Sequence, residues 1–280
     1  GATLAATAEQ LEDQGAIRSS DAFRLMARAL GSGAPIKAGE FRIPAGSSPA
    51  AILRILQYGE PLQRLIVIPE GLPSILVHEK LMAEELLTGE AEVPAEGSVL
   101  PGGYSFERGE PRAAVLKRMQ DAMTKTLAEL WAARRPSAVV KTPEEAVNLA
   151  AIVEKETAKA EERRTIAGVY SNRLRIGMML QADPTVIYPI TKGKPLGRRI
   201  RQSELRADNG YNTYAKAGLP AGPIANPGRA SIEAVLDPET TDALYFVADG
   251  TGGHVFARTL AEHNANVVKW RAIRRERGEL

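Results

Sequence analysis

The stretch "LAAIVEKETA", residues 149–158, decides how this chain is read. It has the texture of an apolar helix interior, yet it carries Glu154 and Glu156 two residues apart. At about 100° per residue, with Glu156 set at zero, Leu149 falls roughly 20° away, Ile152 about 40° to one side and Val153 about 60° to the other. Glu156 therefore sits inside the apolar arc. Glu154 lies roughly 160° round the helix and is expected to be a solvated surface charge. A carboxylate on an inward face loses solvation, its pKa rises, and some acid form persists near neutrality, as a general acid requires. The competing reading is a structural ion pair between Glu156 and Arg163, Arg164 or Arg173. The helix alone leaves both open.

Outward from this segment, "KTPEEAV" supplies a helix start, with Thr142 as N-cap, Pro143 at the first helical position and Glu145 three residues after the cap. A second helix is expected through Ile166, Val169, Tyr170 and Leu174. Asp183-Pro184 then reads as another cap-plus-proline start. "ALYFVADGTGGHVFA" is a hairpin signal, two alternating runs around Asp249–Gly253, and a basic helix closes the chain.

Upstream, residues 1–62 are alanine-rich, with one helical pattern through Leu4, Ala8 and Leu11 and a second that has Ser20 or Asp21 as its cap. A short strand is expected around Phe41 and Ile43, followed by a helix entered through Ser48-Pro49. Residues 63–140 repeat the theme as a connecting α+β piece, with a strand in "LQRLIVIPEG" and a long helix in "RAAVLKRMQDAMTKTLAELWAARR". Residues 141–280 form the third region.

Composition narrows the chemistry. The 280 residues can bury a sizeable core. Lys and Arg number 36 against 34 Asp and Glu, so nucleic acid is not a suggested partner. Cysteine is absent, which removes thiol catalysis, disulfides and thiolate-bound metal. His78, His254 and His263 are scattered without a supporting acid pattern, so no metal is expected. Ser171 and Ser231 lack a nucleophile-elbow context, and the glycines of "DGTGGH" lack the strand-to-helix setting of a phosphate cradle. No cofactor is called for. The chain opens "GATLAATAEQLEDQG", without an initiator Met, and reads as trimmed; the lack of an anchor or signal there carries no weight.

Two long runs, "AAIVEKETAKAEERRTIAGVYSNRLRIGMMLQADPTVIY" and "YNTYAKAGLPAGPIANPGRASIEAVLDPETTDALYFVADGTGGHVFARTLAEHN", together resemble the endolytic murein transglycosylase family (MltG, or YceG-like). The resemblance covers residues 145–270, with weaker matches at "AGEFRIPAGSSPAAILRIL", "VIPEG" and "EGSVLPGGYSFERGE". Where the family commonly has Pro, an acid, Thr and Tyr, this chain has Pro101, Gly102, Gly103 and Tyr104. The resemblance implies an α+β protein with a LysM-like N-terminal module over residues 1–62. It implies a mainly helical, lysozyme-like or Slt-like catalytic domain with a small hairpin over 141–280. It also implies a bacterial inner-membrane protein with one N-terminal transmembrane helix and a periplasmic body, acting on peptidoglycan and contacting penicillin-binding synthases.

In the family's E-K-E-T motif the second glutamate, here Glu156, is catalytic. The implied reaction cleaves the β-1,4 bond between N-acetylmuramic acid and N-acetylglucosamine and closes a 1,6-anhydro ring, without water. Gln181 and the "YNTY" residues Tyr211, Asn212, Thr213 and Tyr214 are then expected to contact sugar, since aromatic faces stack on pyranose rings and amides pair with their hydroxyls. Asp183 is either a second acid or a helix cap, with the cap favoured. Asn172 is a candidate for orienting Glu156. Two rival functions are a muramidase that uses water, with Asp183 as its second acid, and a non-catalytic wall-binding scaffold.

Overall fold

The computed structural model describes residues 3–30 and 33–279. The chain is α+β and divides into two compact units. One comprises Gly1–Ile66, Glu85–Gly89 and Tyr104–Pro111; the other comprises Val67–Glu84, Glu90–Gly103 and Arg112–Leu280. Residues 63–140 are thus shared between the two.

In the first unit, helices α1 (Leu4–Asp13), α2 (Ser20–Leu30) and α3 (Pro49–Tyr58) enclose a core of Ala8, Leu11, Phe23, Ile52, Leu53 and Leu56. Ser48 caps α3 as expected, its Oγ accepting from Ala51 N, with Pro49 opening the helix. The hydroxyl at the start of α2 is one residue earlier than expected: Ser19 Oγ accepts from Ala22 N. The strand expected at Phe41 and Ile43 is not formed. Those two side chains pack against the helical core from extended backbone, and Pro44 removes the next ladder donor. Strands β1 (Arg64–Ile68) and β2 (Gly102–Phe106) pair as a two-stranded sheet.

The second unit is built around one buried helix. Helices α4 (Ser74–Met82) and α5 (Arg112–Ala132) precede α6 (Pro143–Glu156), which starts as the sequence indicates: Thr142 Oγ1 accepts from Glu145 N at 3.2 Å and Pro143 follows. Every residue of α6 from Ala146 to Val153 is buried. Helices α5, α7 (Arg163–Arg175), α8 (Asp183–Thr191) and α10 (Arg229–Leu236) pack around it; α9 (Gln202–Leu205) is a single turn in the basic loop. At Gly168 of α7 an added Cβ would stand 2.5 Å from the Glu239 carbonyl oxygen, so the absence of a side chain lets the 239–241 segment lie directly on the helix.

The hairpin forms where the glycines predict it. Strands β3 (Tyr245–Ala248) and β4 (His254–Ala257) run antiparallel, with Tyr245 opposite Ala257 and Ala248 opposite His254. Asp249 Oδ1 ties the turn by accepting from the backbone of Thr251 and Gly253. The closing helix α11 (Leu260–Glu276) packs on this hairpin behind a capping box of Thr259 and Glu262. Among the described residues no helix is long and apolar enough to cross a membrane.

Candidate active site

The end of α6 delivers Glu156 into a setting that the rest of the second unit assembles. Thr157, directly after it, has extended backbone, so the helix stops at the acid. Tyr170 of α7, 1% exposed, donates from its phenol to Glu156 Oε1 at 3.0 Å. Burial drives the Glu156 carboxyl up to about 7; the Tyr170 bond opposes this, the charge of Asp183 adds to it, and His254 and Arg173 offset it. Glu156 is nevertheless partly open at its surface. A carboxyl that titrates near neutrality and remains reachable can give a proton and take one back.

The arginines that could have neutralised Glu156 are engaged elsewhere. Arg163 reaches Glu70 at 3.3 Å and Glu154 at 3.6 Å, and Arg164 pairs with Asp237 at 3.1 Å. Arg173, 7% exposed, donates to the carbonyls of Leu244 at 2.7 Å and Leu180 at 2.7 Å, so it fixes the entry to β3 and the segment before α8. Its charge reaches Glu156 through space, not through an ion pair.

Glu154 corrects the sequence reading. Its side chain is only 5% exposed, with Oε2 accepting from Gly228 N at 2.8 Å and Oε1 facing Arg163. The helical arithmetic placed it opposite Glu156 correctly. What it missed is that α6 is buried on all sides from Ala146 to Val153, and that at Glu154 the far side meets Gly228 and Arg163 instead of water.

Asp183 is the first residue of α8, and its side chain caps nothing; Ala182 precedes the helix without a side-chain bond. Asp183 Oδ1 instead accepts from the Tyr214 phenol at 2.6 Å. Burial pushes the Tyr214 phenol above its usual range, and the bond to Asp183 pushes further in the same direction. Through Asp183 and Tyr214 this loop is brought electrostatically within reach of Glu156.

The other residues of "YNTY" build the loop itself. Asn212 Nδ2 donates to the carbonyls of Glu204, Leu205 and Ala207, and its Oδ1 accepts from Tyr214 N. Thr213 bonds Ala182 N and the Thr185 hydroxyl while its carbonyl accepts from Gln181 N. Both side chains are buried. Tyr211 packs on Tyr188, ring centroids 5.0 Å apart. Gln181 is exposed and held at φ +53°, a left-handed conformation that costs a non-glycine residue free energy and concentrates at functional sites. Asn172 does not approach Glu156: its amide nitrogen donates to Thr241 and Ala243 carbonyls and its Oδ1 accepts from Arg175.

Sequence reasoning passed over a second pair beside the acid. His254 Nδ1 lies 2.7 Å from Glu162 Oε2, and His254 N donates to Glu162 Oε1 at 2.9 Å. Burial would push the Glu162 carboxyl up, but the bonds from His254 and Thr157 outweigh it and leave it below its usual value. Phe246 stands edge-on to both Tyr170, at 5.7 Å, and His254, at 5.2 Å, so the hairpin is locked against the helix that presents the phenol to Glu156. Among the described residues no group of His, Asp and Glu has the arrangement of a metal site.

The model of the YceG-like family matches residues 1–269. A protein of Bacillus subtilis (strain 168) named endolytic murein transglycosylase is 35% identical over 184 residues, which is 66% of this chain and 50% of that protein. A protein of the same name from Streptococcus pneumoniae serotype 2 (strain D39 / NCTC 7466) is 35% identical over 180 residues, 62% of this chain and 32% of its own length. The chain thus spans half or less of the relatives it matches. The crystal structure of a yceG-like protein from Listeria monocytogenes superimposes with a TM-score of 0.60 at 26% identity, covering 95% of this chain and 96% of that one.

Proposed function

The chain belongs to the YceG-like family, and on that premise we propose that it is an endolytic lytic transglycosylase of peptidoglycan with Glu156 as its acid and base. The observation that carries the reading is the Glu156 carboxyl, raised to about 7 by burial and bonded by Tyr170. The protonated acid delivers its proton to the glycosidic oxygen between N-acetylmuramic acid and N-acetylglucosamine as an oxocarbenium-like state develops. The resulting carboxylate then removes the proton of the muramic acid C6 hydroxyl, which attacks C1 and closes the 1,6-anhydro ring. One group serves both steps because no water enters.

Asp183 and Tyr214 are assigned to the sugar because their charge and phenol act on the acid, Gln181 because it is exposed two residues before Asp183, and Tyr211 as a stacking wall. Asn212, Thr213 and Asn172 act as supports. A glycan-holding, LysM-like role for the first unit, a place in the bacterial envelope with an N-terminal membrane anchor, and contact with penicillin-binding synthases complete the proposal. These further points rest on the family resemblance of the sequence alone.

Mass spectrometry of products from uncross-linked glycan strands tests the reading. Anhydro ends, one water lighter than reducing ends, are expected. Reducing ends would favour the muramidase alternative, in which Asp183, whose charge already acts on Glu156, serves as base for water. The Tyr170→Phe variant adds a pH signature. The phenol lowers the Glu156 pKa, so its removal raises it, and the alkaline limb of the kcat profile should move up by about one unit.

A further inference from the structure

The acid on α6 and the phenol on α7 that holds it are joined by the short segment 157–162, and Glu162 fastens that segment to the hairpin. Glu162 closes a single turn, Ala160–Glu162, directly before α7. Its side chain is 13% exposed, and its carboxylate accepts from the Thr157 hydroxyl at 3.3 Å, from His254 N at 2.9 Å and from His254 Nδ1 at 2.7 Å. With Nδ1 against a carboxylate, the imidazole proton sits on that nitrogen. Thr157, the residue after Glu156, is itself buried, and its Oγ1 also accepts from Lys159 N at 3.0 Å. Strand β4 comes this close because Gly253 has no side chain; a Cβ there would collide with Glu162 Oε1 and Lys159 Nζ. Phe246 closes the circuit, since its ring meets both His254 and Tyr170. From Glu156 the contacts run through Thr157, Glu162, His254, Phe246 and Tyr170 and return to Glu156.

A carboxylate paired with an imidazole at this depth adds little net stability, because desolvation offsets most of the attraction. Stability alone is therefore a weak reason for the pair. We propose that Glu162 and His254 are positioning residues for the Glu156 carboxyl: they tie the segment between the acid and its phenol to the hairpin, so that Glu156 and Tyr170 keep one geometry through proton donation and proton return. This rests on the peptidoglycan reading above. Charge adds a second link. The groups that face Glu156 are Tyr170 and Arg173 from α7, Asp183 from α8, Tyr214 from its loop and His254 from β4. Burial raises the Glu156 carboxyl, and the charge of His254 works against that rise. Around the pair itself stand Lys159 and Asp249, whose charges attract each other at the hairpin turn.

Variants of the whole chain test this. His254→Asn keeps an N–H donor for Glu162 at the Nδ1 position and removes the imidazole. In protein carrying ¹³C-labelled glutamate, with Glu156→Gln to assign the signal, the Glu156 carboxyl should titrate about half a unit higher in this variant, and the alkaline limb of kcat should move with it. Glu162→Gln and Thr157→Val cut the link at the end of α6, and each should lower kcat about tenfold at unchanged KM. Thr157→Val preserves the shape of threonine and keeps the test open should Glu162→Gln misfold. The double variant should cost little more than the worse single one, because both changes cut the same link. An unmoved Glu156 titration would overturn the proposal, as would losses confined to KM and melting temperature. Undiminished cleavage by Glu156→Gln would sink the reading of Glu156 as the acid, whereas a shifted titration would still show that the pair acts on that carboxyl.

Discussion

Glu156→Gln should reduce formation of anhydro ends from uncross-linked strands by about a thousandfold or more while leaving the fold and glycan binding intact. The size of the effect follows from the proposed mechanism: one carboxyl protonates the leaving oxygen and then deprotonates the attacking hydroxyl, so a single amide removes both proton transfers. Glutamine keeps the shape and can still accept from the Tyr170 phenol, which holds the side chain at the end of α6. Asp183→Asn, by contrast, leaves that carboxyl in place and should cost much less if no water is activated. Equal losses in the two variants would show that two acids share the chemistry, as in a hydrolase. Undiminished cleavage by Glu156→Gln would show that the proton donor lies elsewhere.

How far the site was legible depends on whether its contacts are local. The inward position of Glu156 could be read because helical periodicity is a property of ten consecutive residues, and the hairpin because Asp249–Gly253 announces its turn. Thr142-Pro143 marked the start of α6 for the same reason. Tyr170 was readable only as an apolar position of the next helix; that its phenol meets the acid depends on how α7 lies on α6, which spacing does not encode. Glu162 and His254 are separated by 92 positions and meet only because the hairpin folds back. Glu154 failed for a related reason, since Gly228 and Arg163, distant in sequence, cover the side of the helix on which it lies. The loop "YNTY" announced polar and aromatic groups but not their division of labour. In the fold, Asn212 and Thr213 are saturated by backbone and hydroxyl partners, and Tyr214 turns to Asp183.

The same Glu156→Gln substitution should make the protein more stable at alkaline pH. The Glu156 carboxyl titrates near 7 in the folded chain and near 4.5 when exposed. Between those values the folded state holds a proton that the unfolded state has released, so stability falls as pH rises from 4.5 to 7 and is level above that. Each unit of difference corresponds to about 1.4 kcal/mol, which sets a ceiling of about 3.5 kcal/mol on the penalty at pH 8. Glutamine carries no charge to bury and escapes it. Denaturant titrations of both proteins at pH 5 and pH 8 should therefore show a gap that widens in favour of the variant as pH rises, with m-values unchanged. A gap independent of pH would mean that the folded chain does not hold the Glu156 proton. Rate and stability are expected to move in opposite directions on one atom's replacement, because the burial that makes Glu156 a usable acid at neutral pH is a burial the fold itself disfavours.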